Sequence, residues 1–180
     1  TGATVVVRPG EVVSPATVLI LDQQILEVGK DIVIPDFYQQ IDCTGKHIYA
    51  GFIDAWSEQE VGLPGTATSY WNPNISPQRS VAGSISESSD AEKLRQQGFA
   101  ARLVAPRGGI IKGASQVYLL GGVKRSHQAL KSTRWQHAQL TVPRSGPRVD
   151  YPNSPMGAVA LLRQALYDAK WYAESWKSHR

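Results

Sequence analysis

Three groups of residues in this chain are of types that could do chemistry. The first is Asp54-Ala55-Trp56-Ser57-Glu58. Asp54 reads either as a polar anchor for the loop that follows it or as a catalytic carboxylate, since perturbed carboxylates serve both purposes. Glu58 has the chemistry of a general base, but the sequence shows no partner that would tune its proton affinity. The second group is Arg107-Gly108-Gly109 with Lys112-Gly113. Glycines flanked by cations resemble backbone concavities that bind anions, although the order Gly-x-x-x-x-Gly-Lys-Ser/Thr of a nucleotide loop is absent. The other reading is a sharp turn whose glycines take dihedrals closed to other residues. The third group is aromatic: Trp56, Tyr70 and Trp71, with Arg107, could grip a small molecule by stacking and charge.

Other chemistries find little support. The four histidines, His47, His127, His137 and His179, form neither His-x-His nor His-Glu-x-x-His, so no metal motif is present. Ser84, Ser86, Ser88 and Ser89 make a polar cluster without a nucleophile elbow. The single Cys43 rules out an internal disulfide and a cysteine-rich metal cluster. At an apparent strand end, it suits a small buried hydrophobe. The net charge of +4 is dispersed along the chain, and without a concentrated basic face nucleic-acid binding is not expected.

The elements that must position these residues fall into two parts. Apolar residues at 42% and charged ones at 19% are ordinary for a folded protein. No window approaches 18 consecutive apolar residues, so no membrane-spanning helix is expected. The sequence opens Thr1-Gly2-Ala3 with no basic leader visible. Residues 1–50 read as short strands with turn punctuation: Ala3 to Val7, Thr17 to Leu21 and Ile25 to Val28, with Pro9-Gly10, Asp22-Gln23-Gln24 and Thr44-Gly45-Lys46 as turns. This spacing predicts a small antiparallel sheet. From 51 onward the pattern changes. Gly51 to Asp54 suits a buried parallel strand. Residues 57–86 lack periodicity and read as a long loop, of the kind that is often functional or mobile. Ser88-Ser89-Asp90 supplies capping chemistry for a helix from Ala91 to Gln97, stopped by Gly98. Phe99 to Val104 is the next buried strand, completing a right-handed strand–helix–strand unit, and Gln116 to Leu120 is apolar. Ser154 and Pro155 start a long helix, whose predicted apolar stripe is Val159, Leu162, Leu166, Ala169, Ala173 and Trp176. Such a helix must pack on the rest of the fold or on a partner.

Three ordered segments carry a resemblance. The first is Gly45-Lys46-His47-Ile48-Tyr49-Ala50-Gly51-Phe52-Ile53-Asp54-Ala55-Trp56-Ser57-Glu58. The second is Gly98-Phe99-Ala100-Ala101-Arg102-Leu103-Val104-Ala105-Pro106, continuing through Arg107-Gly108-Gly109-Ile110-Ile111-Lys112-Gly113-Ala114-Ser115. The third runs from Tyr151-Pro152-Asn153-Ser154-Pro155-Met156-Gly157 to Tyr167-Asp168-Ala169-Lys170-Trp171-Tyr172. Together they resemble the amidohydrolase superfamily, in its imidazolonepropionase-like, often exported subgroup. The resemblance implies a small sheet, half of a composite β-sandwich, followed by a (β/α)8 barrel. It also implies metal-activated water hydrolysing C–N bonds other than peptide bonds, in cyclic amides or dipeptide-like substrates, and it points to export. In that family a His-x-His pair at the end of the first barrel strand holds the metal, zinc in the parent class. Trp56 and Glu58 stand at those positions here. An indole has no lone pair for a metal, and one carboxylate is a poor zinc site where three protein ligands are usual. The expectation is a degenerate site with no metal held by this chain.

The arithmetic of length bears on the fold. A (β/α)8 barrel takes about 250 residues and rarely fewer than about 200. Positions 51–180 supply roughly 130, enough at about thirty per unit for three or four strands. The expected class is therefore α/β, with a β-sheet segment over 1–50 and the first βα units of an incomplete barrel over 51–180. Such a barrel leaves an open edge. The chain is then the N-terminal portion of a larger protein, and a complementary C-terminal chain or a homo-oligomer is the expected partner. Residues 156–176 offer an assembly surface. The rival reading is a noncatalytic ligand-binding or scaffold module.

Overall fold

The computed structural model describes residues 1–22, 24–65, 69–82, 89–121, 129–130, 135–140, 142 and 151–179. Ser84, Ser86, Ser88 and His127 lie outside them, and so does Gln23 of the turn after Leu21. Packing divides the chain into two units, Thr1–Gly51 and Phe52–Arg180.

The first unit is a four-stranded sheet. Strand β1 (Ala3–Arg8) pairs antiparallel with β2 (Glu11–Leu21), and β2 pairs antiparallel with β3 (Gln24–Gly29). Gly10, at φ +83, and Asp22, at φ 49, supply the left-handed residues of the two connections. Strand β2 begins at Glu11 rather than Thr17, because the ladder accommodates Pro15. Ala3 faces Ala16 while Val5 faces Val13, so the register shifts between them, at the kind of irregularity where a strand tolerates proline. The expected antiparallel sheet is mixed. A short β4 (His47–Ile48) runs parallel beside β1, giving the order β3-β2-β1-β4. Alternate residues point inward: Ala3, Val5 and Ala16 are buried, with Val13, Val18, Val28 and Ile48 against them. Cys43 packs on the same cluster, half-buried, but lies in a turn and not on a strand. Its N–H donates to the Thr1 carbonyl and its carbonyl accepts from the Lys46 N–H.

The second unit holds one parallel crossover. Strand β5 (Phe52–Gln59) leads through α1 (Ser89–Gln96) to β6 (Phe99–Pro106), parallel to β5. Gly98, at φ +91, ends the helix region, its N–H bonded to the Arg95 carbonyl. Beyond β6 the pairing turns antiparallel. Strand β8 (Gln116–Leu119) lies beside β6 and β9 (Ala129–Leu130) beside β8, giving the order β5-β6-β8-β9. A separate ribbon joins β7 (Ile111–Ala114) to β10 (Gln136–Ala138). Three elements, β7, β9 and β10, are too short to announce themselves by periodicity. Strand β6 is buried at Ala101, Val104, Ala105 and Pro106 as expected, whereas β5 is an edge strand with Phe52 65% and Ile53 70% exposed. The expectation of a buried first strand fails on that point, since among the described residues β5 has a neighbouring strand on one side only.

The long loop is partly built into the fold. Ile75 and Ser80 bridge in parallel to Ile111 and Ala114 of β7, and Ile75 and Val81 are buried. Gly113, at φ +116, permits this: a Cβ there would lie 2.4 Å from the Arg79 carbonyl oxygen. The helix α2 (Pro155–Ser178) starts as anticipated, with Ser154 Oγ accepting from the Gly157 N–H. Its buried face, however, is Ala158, Leu161 and Ala165, with Leu162 partly buried, packed on Ile75 and Ile110. The predicted stripe is displaced by about one residue. Val159 and Leu166 are exposed, because contact with Ile75 and Ile110, rather than apolar content, chose the inward side.

Candidate functional site

Four side chains from three strands converge at the C-terminal end of β5. Glu58 comes from β5, Lys112 from β7 and His137 from β10, with Trp56 between them. Lys112 is 2% exposed, and its Nζ donates to Glu58 Oε1 in an ion pair. The same ammonium lies 5.4 Å from the centre of the Trp56 ring, within cation–π range. His137 meets the Trp56 ring edge-on, with centroids 5.0 Å apart. Its Nε2 is buried with no hydrogen-bond partner. Burial holds the His137 imidazole below its ordinary pKa, and the nearby Lys112 charge pushes in the same direction. The arrangement is thus a buried cation neutralised by one carboxylate, covered by an indole and faced by a neutral imidazole.

The strands explain this convergence. Gly113 lets β7 approach the backbone near Arg79, which draws Lys112 into the interior. The register pairs His137 with Gly113, so β10 brings the imidazole up beside Lys112. A lysine inside the apolar run Ile110-Ile111-Lys112 signals that a carboxylate must meet it. The spacing of 54 residues between the partners hides which one. His137 had no comparable signal, since β10 is three residues long and its only cue is the pairing itself.

The remaining candidates are placed elsewhere. Asp54 accepts hydrogen bonds from the Trp56 N–H, at 3.1 Å, and from the Ser57 hydroxyl, so its carboxylate organises the turn of its own strand. Arg107 is exposed at the surface 3.9 Å from Glu60, and its N–H donates to the Gln59 carbonyl. Gly108 and Gly109 take φ of 77° and 85°. Gly109 is tightly placed, as its Cβ would stand 3.1 Å from the Asn74 carbonyl oxygen, while Gly108 has open space. Tyr70 belongs to the α2 cluster rather than to the Trp56 group. Its hydroxyl donates to Asp168 on α2, its ring lies 5.5 Å from that of Trp71, and burial, with the Asp168 bond, raises its pKa. Of the four residues expected to form one gripping face, the structure gathers Trp56 with Lys112 and His137. It gives Tyr70 and Arg107 other partners.

Of the four converging side chains, only Glu58 and His137 carry lone pairs of the kind a metal takes. Among the described residues no three His, Cys, Asp or Glu side chains are grouped to hold an ion. Trp56 and Lys112 offer no lone pair in their ordinary states, and Glu58 is already engaged by an ammonium.

No protein-family model matches this sequence, and no curated protein matches it. The fold is similar to the crystal structure of an amidohydrolase from Thermotoga maritima MSB8, with a TM-score of 0.72 at 20% identity. The alignment covers 98% of this chain and 48% of that one. The fold is amidohydrolase-like. The chain therefore spans about half the length of the solved protein it matches. No helix among its described residues is long and apolar enough to cross a membrane.

Proposed function

We propose that this chain is the N-terminal portion of an amidohydrolase-like protein of the imidazolonepropionase-like type, in which a lysine has taken over the electrostatic duty of a metal. The reading rests on one observation: the buried Lys112 ammonium is paired with Glu58 and sits against Trp56. In the family pattern the positions of Trp56 and Glu58 belong to the metal-holding histidines. Here a fixed cation neutralises the remaining carboxylate, and the residues have no use for zinc. The parent chemistry, hydrolysis of C–N bonds in cyclic amides or dipeptide-like substrates by metal-activated water, is accordingly degenerate at this strand. Elemental analysis of protein dialysed against zinc, with hydrolysis assays on cyclic amides and dipeptides, provides the test. The expected result is substoichiometric zinc and no zinc-dependent turnover. Stoichiometric zinc held at Trp56 and Glu58 would overturn the proposal.

A second reading keeps the site as a noncatalytic binding surface. It is favoured by the Trp56 ring, 49% exposed and backed by a cation, which can stack on a planar ligand. A thermal-shift screen of small aromatic carboxylates and amides should give stabilisation that disappears in Trp56→Ala. No response in either protein counts against it.

A further inference from the structure

The segment that bridges to β7 brings in a guanidinium that the described residues do not neutralise. The Arg79 backbone is fixed: its N–H donates to the Ser76 carbonyl at 3.2 Å, and its carbonyl accepts from the Ala114 N–H at 2.8 Å. Gly113 lets it lie close against β7, since a Cβ there would meet the Arg79 carbonyl oxygen at 2.4 Å and the Arg79 Cβ at 2.7 Å. The side chain is half-buried and is anchored at its tip as well, where Nη1 donates to the Arg107 carbonyl at 3.3 Å. That acceptor is neutral and leaves the charge uncompensated. Nε is buried without a hydrogen-bond partner. Among the described residues no carboxylate lies within ion-pair distance of Arg79.

We infer that Arg79 anchors an oxyanion site, taking the carboxylate or phosphate group of a small molecule. A guanidinium grips two oxygens of such a group side-on through Nε and Nη2, a planar fork that matches their spacing. The bond to Arg107 uses Nη1, outside that edge, and so orients the fork without filling it. A buried donor left unbonded is costly, and a half-buried charge with no opposite charge adds to that cost. A bound oxyanion removes both penalties. The surroundings favour the same occupant. Arg107 follows β6 directly and brings a second cation to the same turn, held by an exposed pair with Glu60 at 3.9 Å, a kind of contact worth little. Gly108, at φ +77, has no atom within 4 Å of where a Cβ would stand, so the backbone beside Arg107 is open to a bound group. This turn lies beyond the C-terminal end of β6, and ligands of parallel α/β sheets bind beyond those strand ends. The fork shares no hydrogen bond or ion pair with Glu58 or Lys112, so the site is independent of whether zinc binds near Trp56.

Arginine modification and titration calorimetry provide the test. The protein is labelled with phenylglyoxal in phosphate, in acetate and in chloride at equal ionic strength, and the labelled arginines are mapped by peptide mass. The expected result is that phosphate, acetate or both slow the labelling of Arg79 by about fivefold or more relative to chloride, as a charge-assisted fork contact requires. Protection by phosphate alone identifies a phosphate-bearing ligand, and protection by acetate alone a carboxylate; either supports the site. This readout uses the unsubstituted protein and does not depend on a variant folding. Calorimetry with the protecting anion then compares Arg79→Lys, which keeps the charge and loses the fork, and Arg79→Gln. The first should weaken binding by about tenfold or more, because an ammonium cannot reproduce the bidentate contact, and the second should abolish it. Arg79 labelled at the same rate in all three anions would overturn the proposal. Unchanged anion affinity in a folded Arg79→Gln protein would also overturn it.

Discussion

At the scale of single residues, the Lys112–Glu58 pair dominates. A fully buried ammonium is costly unless paired, and removing one partner of a buried pair typically costs 3–5 kcal/mol because the other charge is left uncompensated. The Glu58 side chain is 25% exposed, so water relieves part of that cost. Lys112→Met should therefore destabilise the second unit by about 3 kcal/mol, the lower end of the range. Glu58→Gln, which strands the more deeply buried partner, should cost at least as much. The double substitution should cost less than the sum, as read from urea denaturation in a double-mutant cycle. His137 adds a pH dependence. Its folded pKa lies below the ordinary 6.5, chiefly through burial and further through Lys112. Between those values the unfolded chain binds the proton and the folded one does not, so stability is full above pH 6.5. It declines as pH falls below 6.5 and levels off once the folded imidazole also protonates. Lys112 is the cation facing it and Trp56 the ring. His137→Gln should flatten that part of a stability–pH curve, and an unchanged slope would remove His137 as its source. The sequence displayed three of the four side chains of this site. Trp56, Glu58 and Lys112 stood out by type, but their meeting depends on Gly113 letting β7 approach Arg79. The role of His137 depends on a three-residue strand with no pattern to read.

At the scale of elements, legibility followed length and neighbours. The strand–helix–strand unit around α1 was readable because Gly98 ends the helix locally, and the start of α2 because Ser154 caps it. Strands β7, β9 and β10 were not, since two to four residues cannot display a period. The rotation of α2 is the more instructive miss. Its sequence is apolar on more than one side, so composition alone permits several inward faces, and Ile75 with Ile110 selects among them. The selection can be tested by truncation. Leu161 is 1% exposed against that pair, and Leu161→Ala should cost about 3 kcal/mol, within the usual range for emptying a buried leucine site. Leu166 is 60% exposed, and Leu166→Ala should change stability by about 0.5 kcal/mol or less in the isolated chain. Equal losses at the two positions would place the inward face where the sequence alone had put it. Ser154→Ala should cost about 1 kcal/mol by freeing the Gly157 N–H, which chemical denaturation can resolve.

For the whole molecule the decisive quantity is how much apolar surface stays in water. On the outer turns of α2 the rings of Tyr172 and Trp176 stack 6.1 Å apart while 61% and 55% exposed. Contiguous exposed apolar surface of this kind is what a hydrophobic dye reports. Tyr172→Lys combined with Trp176→Lys should therefore lower the fluorescence of a bound hydrophobic dye by about half or more, because the stacked pair is the bare part of the helix. Unchanged fluorescence in the double variant would mean that the dye reports other surface and that the stacked pair is already covered in solution.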